Sequence, residues 1–149
     1  MNLTALFVIQ AAMLSTGQTY AEAHREMKTT GRPMIVLVSA PWCPACQSMK
    51  NTVVPKLRQR GSLDQVAFTV VDVDAQPKLA RRLMSGGTIP QLIMYYQAPD
   101  GWQRRQMTGG TSVAAVETMI VAGLRSAGAK VARGKEGPLP EPTPSPSGK

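Results

Sequence analysis

The chain has 149 residues, 43% hydrophobic and 17% charged, with a formal net charge of +8. This length supports one domain around one core, and the composition argues against a wholly disordered chain. With two cysteines and one histidine, His24, it is neither a disulfide-stapled mini-protein nor a cysteine-only or His-rich metal protein. No apolar run reaches the roughly 18 residues of a spanning helix, so no stable membrane span is expected. The Lys and Arg residues are scattered, with doublets only at Arg81-Arg82 and Arg104-Arg105. No basic run is interleaved with aromatics, which argues against a nucleic-acid partner and for a solvated, mildly basic surface.

Residues 1–21 carry no charged side chain, and Leu3 to Leu14 (LTALFVIQAAML) is apolar. Ser15, Thr16 and Gly17 follow, where a cleavage site would lie. The pattern predicts a signal peptide over 1–18 and an exported protein. Against this, no Lys or Arg precedes the apolar core and Gln10 interrupts it. The alternative is an ordinary first element of a cytoplasmic protein, since Leu3, Leu6, Phe7 and Leu14 fall near one helical face.

Tyr20 to Thr30 reads as a helix with Tyr20, Ala23 and Met27 on one side, ended by Gly31 and Pro33. Met34 to Ser39 (MIVLVS) is a continuous apolar run suited to a strand buried on both faces. A helical stretch begins near Cys43, with Cys46, Met49, Val53 and Leu57 facing the core. Pro55 should kink or restart it, and Gly61 should cap it. Val66 to Val73 reads as a second buried strand and Gln76 to Met84 as a short helix opened by Pro77. A Gly86-Gly87-Thr88 loop leads through Ile89-Pro90 to a third strand, Gln91 to Gln97. After a turn at Pro99-Asp100-Gly101, Trp102 to Thr108 returns antiparallel. Thr111 to Leu124 is a helix capped by Thr111 or Ser112, with Val113, Val116, Ile120 and Leu124 as its buried stripe. From Gly128 onward Gly, Lys, Pro and Ser dominate, with alternating prolines from Pro138 to Pro146. Residues 128–149 therefore read as a disordered, extended tail. Two strand–helix crossovers, a hairpin and a closing helix imply an α/β domain over 19–127, with a mixed central sheet covered on both faces.

The sharp chemical signal is Trp42-Cys43-Pro44-Ala45-Cys46. Cysteines three apart at a helix start can close a small disulfide ring. The unpaired N–H groups and positive dipole of a helix N-terminus stabilise a thiolate at Cys43, the attacking species in disulfide exchange. Cys46, one turn deeper, should be less exposed and able to resolve a mixed disulfide. Pro44 suits the first helical turn. A bare CxxC is weak; it is also found as half of a metal site or as two incidental cysteines. Here it follows a buried strand, opens a helix and holds the chain's only cysteines. Zinc would need further ligands, for which only His24 and the aspartates are on offer. The nine methionines are dispersed and read as core filling rather than a copper site. His24 falls on the polar side of its helix. Asp72 and Asp74 read as solvated or capping groups, and no nucleotide fingerprint is present.

Ala40-Pro41-Trp42-Cys43-Pro44-Ala45-Cys46, Val71-Asp72-Val73-Asp74 and Thr88-Ile89-Pro90 together resemble the thioredoxin superfamily over about residues 20–127. The stretch Tyr20 to Cys46 is similar to that of small bacterial thioredoxin-like proteins, often exported. The resemblance implies a thioredoxin-like fold, with Cys43 as nucleophile, Cys46 as resolving thiol and a redox disulfide between them. It further implies that Pro90 is a cis-proline facing the active site and that Ile89 exposes backbone to an extended substrate. Trp42 would shield the disulfide, and Gly109 would keep the substrate groove open. The bland readings are a strand-start proline at Pro90, a partly buried aromatic at Trp42 and a turn glycine at Gly109.

Two departures stand out. Thioredoxins place a buried Asp six residues before the first cysteine and a paired Lys on the next strand; here the positions hold Leu37 and Val70. The expected floor is therefore dry and neutral, without a carboxylate to help deprotonate Cys46. The dipeptide is Pro44-Ala45 rather than Gly-Pro. Proline after the nucleophile is similar to glutaredoxins and periplasmic oxidants, but Ala45 lacks the latter's thiolate-stabilising His.

The leading expectation is a monomeric thiol-disulfide oxidoreductase without a bound cofactor, exchanging disulfides with protein or small thiols and with an unidentified electron donor or acceptor. Two others stand beside it: a non-catalytic peptide-binding module using the groove near Pro90, and a metallochaperone using Cys43, Cys46 and a nearby Met.

Overall fold

The computed structural model describes residues 17–135. The apolar segment Leu3 to Leu14 and the alternating prolines of the tail lie outside the described residues. The elements run α1 (Tyr20–Thr30), β1 (Met34–Ser39), α2 (Pro44–Ser48), a π-helical turn (Met49–Val53), α3 (Val54–Gln59), β2 (Ala67–Asp72), α4 (Pro77–Leu83), β3 (Gln91–Ala98), β4 (Gly101–Thr108) and α5 (Val113–Lys135). The four-stranded sheet has the order β2-β1-β3-β4. β1 is parallel to β2 and antiparallel to β3, and β3 and β4 form an antiparallel hairpin.

Local chemistry accounts for most boundaries. Thr19 and Glu22 form a capping box at the start of α1. The hydrogen bonds from the Thr19 backbone N–H and hydroxyl hold the Glu22 carboxyl below its ordinary pKa. Gly31 closes α1 in the left-handed region at φ +74°, as expected from the sequence. Pro55 has no N–H to return to Asn51. The helix absorbs this with a π turn, in which the Val54 N–H reaches back to the Met49 carbonyl, and α3 restarts around the proline. Gly61, at φ +71°, ends α3, with the Ser62 N–H donating to the Leu57 carbonyl at 2.9 Å.

β1 is buried along its whole length. Alternate residues serve two cores. Met34, Val36 and Val38 pack with Ala23, Met27, Ala80, Leu83 and Ile93 beneath α1 and α4. Ile35 and Leu37 pack on the other face with Met49, Leu57, Leu92, Met94, Val116 and Ile120, beneath α2, α3 and α5. Gly123 brings α5 so close to β3 that a Cβ there would collide with Met94. The mixed sheet with helices on both faces is thus the expected one.

Two expectations need correction. α5 runs to Lys135, past Gly128, where the extended tail was expected to begin. The residues after Gly128, Ala129-Lys130-Val131-Ala132-Arg133, are mostly good helix formers. One glycine costs a helix only about 1 kcal/mol, too little to stop it there. The floor beneath Cys46 is also not uniformly dry. Leu37 is fully buried, but its register partner Val70 is 39% exposed. Among the described residues β2 is an edge strand whose outer side meets only an isolated bridge from Gln18 to Thr69, so Val70 opens onto a groove shared with Lys50 and Arg58.

Candidate active site

The site forms where β1 ends and α2 begins. Ala40 to Trp42 turn the chain, and the Gln47 side-chain amide holds that turn by donating to the Pro41 carbonyl at 2.8 Å. Cys43 is the N-cap of α2 and Pro44 lies in its first turn. Cys43 and Cys46 are joined as a disulfide with Cα atoms 5.2 Å apart. Cys43 is 6% exposed and Cys46 not at all, the order of accessibility expected from their places on the helix. The Cys46 backbone N–H donates to Cys43 Sγ at 3.2 Å. A free helix-terminal donor is thus already aimed at that sulfur, and in the dithiol form the same donor favours the thiolate.

Cys43 Sγ also lies 4.0 Å from the carbonyl oxygen of Ile89. The Ile89–Pro90 peptide bond is cis. Pro90 itself is buried while Ile89 is half-buried beside the disulfide, packed with Ala40, Cys43, Cys46 and Val73. The loop before Pro90 is pinned from within by Gln91, whose buried side-chain amide donates to the Ser85 and Thr88 carbonyls and accepts from the Ser85 N–H.

Trp42 is 68% exposed. Its indole N–H donates to the Asp74 carboxylate at 2.8 Å, so the ring is oriented by a polar anchor rather than by burial. Asp72 caps the same loop, accepting from the Asp74 and Ala75 N–H groups. Gly109 has φ +88° and its N–H donates to the Pro90 carbonyl at 2.8 Å. Nothing lies within 4 Å of where its Cβ would sit, so the position demands glycine for conformation and not for space. The residue whose added Cβ would approach the active-site dipeptide is Gly110, 3.9 Å from the Ala45 Cβ. His24 is exposed on α1, stacked with Tyr20 at 5.8 Å, and takes no part in the site.

Sequence reasoning missed three contributors. The Trp42–Asp74 bond joins loops far apart in the chain and has no local signature. Gln47 looks like any polar helix residue. Ser39 ends β1 wholly buried, and its hydroxyl is without a hydrogen-bond partner among the described residues. A groove of about 620 Å³ runs from Trp42 and Ile89 along α4, with Val73, Ala80 and Met84 in its lining and Arg81 at its side. Among the described residues no group of three or more His, Cys, Asp or Glu side chains is placed to hold a metal ion.

Comparison with known proteins agrees with this geometry. The thioredoxin family model matches residues 15–122. A solution structure of a thioredoxin from Thermus thermophilus superposes with a TM-score of 0.60 at 23% identity, over 80% of this chain and 95% of that one. A thioredoxin from Fasciola hepatica gives 0.54 at 19% identity, over 69% of this chain and 92% of that one. The Trxlp protein from Edwardsiella tarda gives 0.53 at 26% identity, over 69% and 94% respectively. A search of curated proteins returned no match. A CxxC pair at disulfide distance in this fold supports thiol-disulfide redox function, and the chain belongs to the thioredoxin family.

Proposed function

We propose that the protein is a thiol-disulfide oxidoreductase in which Cys43 is the nucleophile and Cys46 the resolving thiol. The observation that carries this reading is the Cys43 sulfur at the N-cap of α2, receiving the Cys46 N–H at 3.2 Å and lying beside the Ile89 carbonyl. In the reducing direction the Cys43 thiolate attacks one sulfur of a substrate disulfide. A Cys43–substrate disulfide forms and one substrate thiolate leaves. Cys46 then loses its proton and attacks Cys43 Sγ, forming the Cys43–Cys46 bond and expelling the second substrate thiolate. Two electrons pass to the substrate, and its two thiolates take up the protons given up by the pair. The oxidising direction is the reverse, and a second thiol or disulfide partner resets the pair.

Half-buried Ile89, its carbonyl 4.0 Å from Cys43 Sγ, offers the backbone along which an extended segment would lie, with Pro90 fixing that backbone, Pro44 opening α2, and Trp42 and Gly109 bounding the approach. The chain's own helices cover both faces of the sheet apart from the groove beside the disulfide, which supports action as a monomer. The charge-free, apolar run at residues 3–14 supports export. No described helix is long and apolar enough to cross a membrane.

Turnover of a protein disulfide by catalytic amounts of the protein, with dithiothreitol as reductant, tests the reading. Cys46→Ser should accumulate a covalent Cys43–substrate species, which Cys43→Ser cannot form. Absence of turnover together with unchanged partner binding by Cys43→Ser would instead identify a peptide-binding module.

A further inference from the structure

We propose that the groove beside the disulfide selects acidic segments of substrate proteins, with Arg81 as the determinant; this rests on the oxidoreductase reading above. Val73, Ala80, Met84 and Ile89 give the groove an apolar lining, and Arg81 is the one charged side chain bordering it among the described residues. α4 (PKLARRL) presents Lys78, Arg81 and Arg82, all exposed, and carries no acidic residue. Arg104 reaches over from β4 and donates to the Leu83 carbonyl at 2.7 Å, adding a further cation at the end of α4.

Among the described residues none of these cations is neutralised by an ion pair. Among the described residues the ion pairs are Arg32–Glu26 and Arg60–Glu117, and neither involves a groove residue. The acidic groups nearest in the chain, Asp72 and Asp74, keep their charge but form no ion pair with these cations among the described residues. Asp74 accepts from Trp42, and Asp72 caps the Asp74 and Ala75 N–H groups. Among the described residues the Arg81 guanidinium makes one long contact, 3.3 Å, to the Pro77 carbonyl of its own helix, with its other donors unengaged.

An extended segment with its sulfur at Cys43 and its backbone along Ile89 passes between Trp42 and α4. Its neighbouring side chain meets the apolar lining, and the next meets Arg81. A carboxylate there gains a charge-assisted hydrogen bond and favourable steering by the surrounding cations, whereas a Lys meets like charge. The chain's formal net charge of +8 acts in the same sense at longer range. Because the cations are exposed, the selection belongs chiefly to the encounter rate and must weaken with salt.

The test uses one peptide sequence in three forms, with the residues flanking its cysteine as Glu, Gln or Lys, each supplied as its symmetrical disulfide. The full chain is reduced with dithiothreitol and desalted. Each peptide disulfide is mixed with it, quenched in acid and resolved chromatographically, so that peptide thiol formed is read directly against protein dithiol consumed. At low salt the Glu form should react about tenfold faster than the Lys form, with Gln between, and the gap should narrow at high salt. Arg81→Glu should abolish or invert the order, while Arg125→Glu, on α5 outside the groove, should preserve it. Equal rates for the Glu and Lys forms, or an order unchanged by Arg81→Glu, would overturn the proposal. Oxidised glutathione reacting as fast as the Glu peptide would also overturn it, by showing that a small acidic disulfide is served as well as a protein segment. Failure of every peptide and of a small aromatic disulfide to react is a different result: it removes the oxidoreductase reading itself, and the selectivity with it.

Discussion

The face of the sheet beneath α2, α3 and α5 is closed, whereas the face beneath α1 and α4 is left open beside the disulfide. On the closed face the 23-residue α5 and the α2–α3 run cover Ile35, Leu37, Leu92 and Met94 with continuous apolar packing. On the open face α4 has only 7 residues, and the space it leaves along Trp42 and Ile89 becomes the groove. The disulfide sits where the two meet. Cys46 is fully buried, while Cys43 lies against Ile89, a residue that also lines the groove. On the proposed function, chemistry is tuned from one face and recognition supplied from the other, so changes on the two faces should separate in their effects.

The largest expected effect lies at the junction. Cys43→Ser should reduce disulfide exchange to the uncatalysed background while leaving the melting temperature of the reduced protein nearly unchanged, because one small buried atom is exchanged for another. A residual rate comparable to the parent's would place the nucleophile elsewhere.

The closed face comes next. Leu37→Asp puts a carboxylate into a fully buried position and should destabilise the domain by roughly 2–4 kcal/mol, less if its pKa rises to neutralise it. Val70→Lys, on the open edge, should change stability by no more than about 0.5 kcal/mol. Combined with Leu37→Asp it should restore part of the loss, since the two positions are register partners and a Lys stem can reach inward from the edge. Denaturant melts of the two single variants and the double variant decide this. A Leu37→Asp variant as stable as the parent would show that the closed face is not sealed beneath the site.

The element order, the mixed sheet covered on both faces and the cysteine pair were readable from the sequence because each rests on local pattern. The continuous apolar run MIVLVS marks β1 as buried on both faces, glycine ends α1 and α3, and a helix start beside Cys43 implies its exposure relative to Cys46. What escaped depends on contacts between distant segments. Val70 belongs to a run that reads as a buried strand, and only the strand order makes it an edge. Gly109 reads as a space-giving residue until its φ of +88° and the open space around it show the need to be conformational. The end of α5 was misplaced because a Pro-rich composition further on was read back to Gly128, over residues that favour helix.

Smaller effects sharpen the same contrast. Gly109→Ala should cost about 1–2 kcal/mol from the left-handed backbone alone, with Gly109→Asn costing less, since the positive φ and not crowding sets the requirement. Equal losses for Ala and Asn in thermal melts would point to steric exclusion instead. Smallest of all, Ser39→Ala removes a buried hydroxyl that has no partner among the described residues, and should leave stability equal or raised by up to about 1 kcal/mol. A clear loss would mean that the hydroxyl is bonded in solution.

The most direct measurement is the alkylation of each cysteine by iodoacetamide as a function of pH in the dithiol protein, read by mass spectrometry of the separated peptides. With the α2 N-terminus and the Cys46 N–H aimed at its sulfur, Cys43 should react with a midpoint well below the unperturbed value of about 8.5, while Cys46, buried one turn deeper, should react slowly and without that depression. Equal reactivity of the two thiols, both with midpoints near about 8.5, would contradict the assignment of Cys43 as the activated nucleophile.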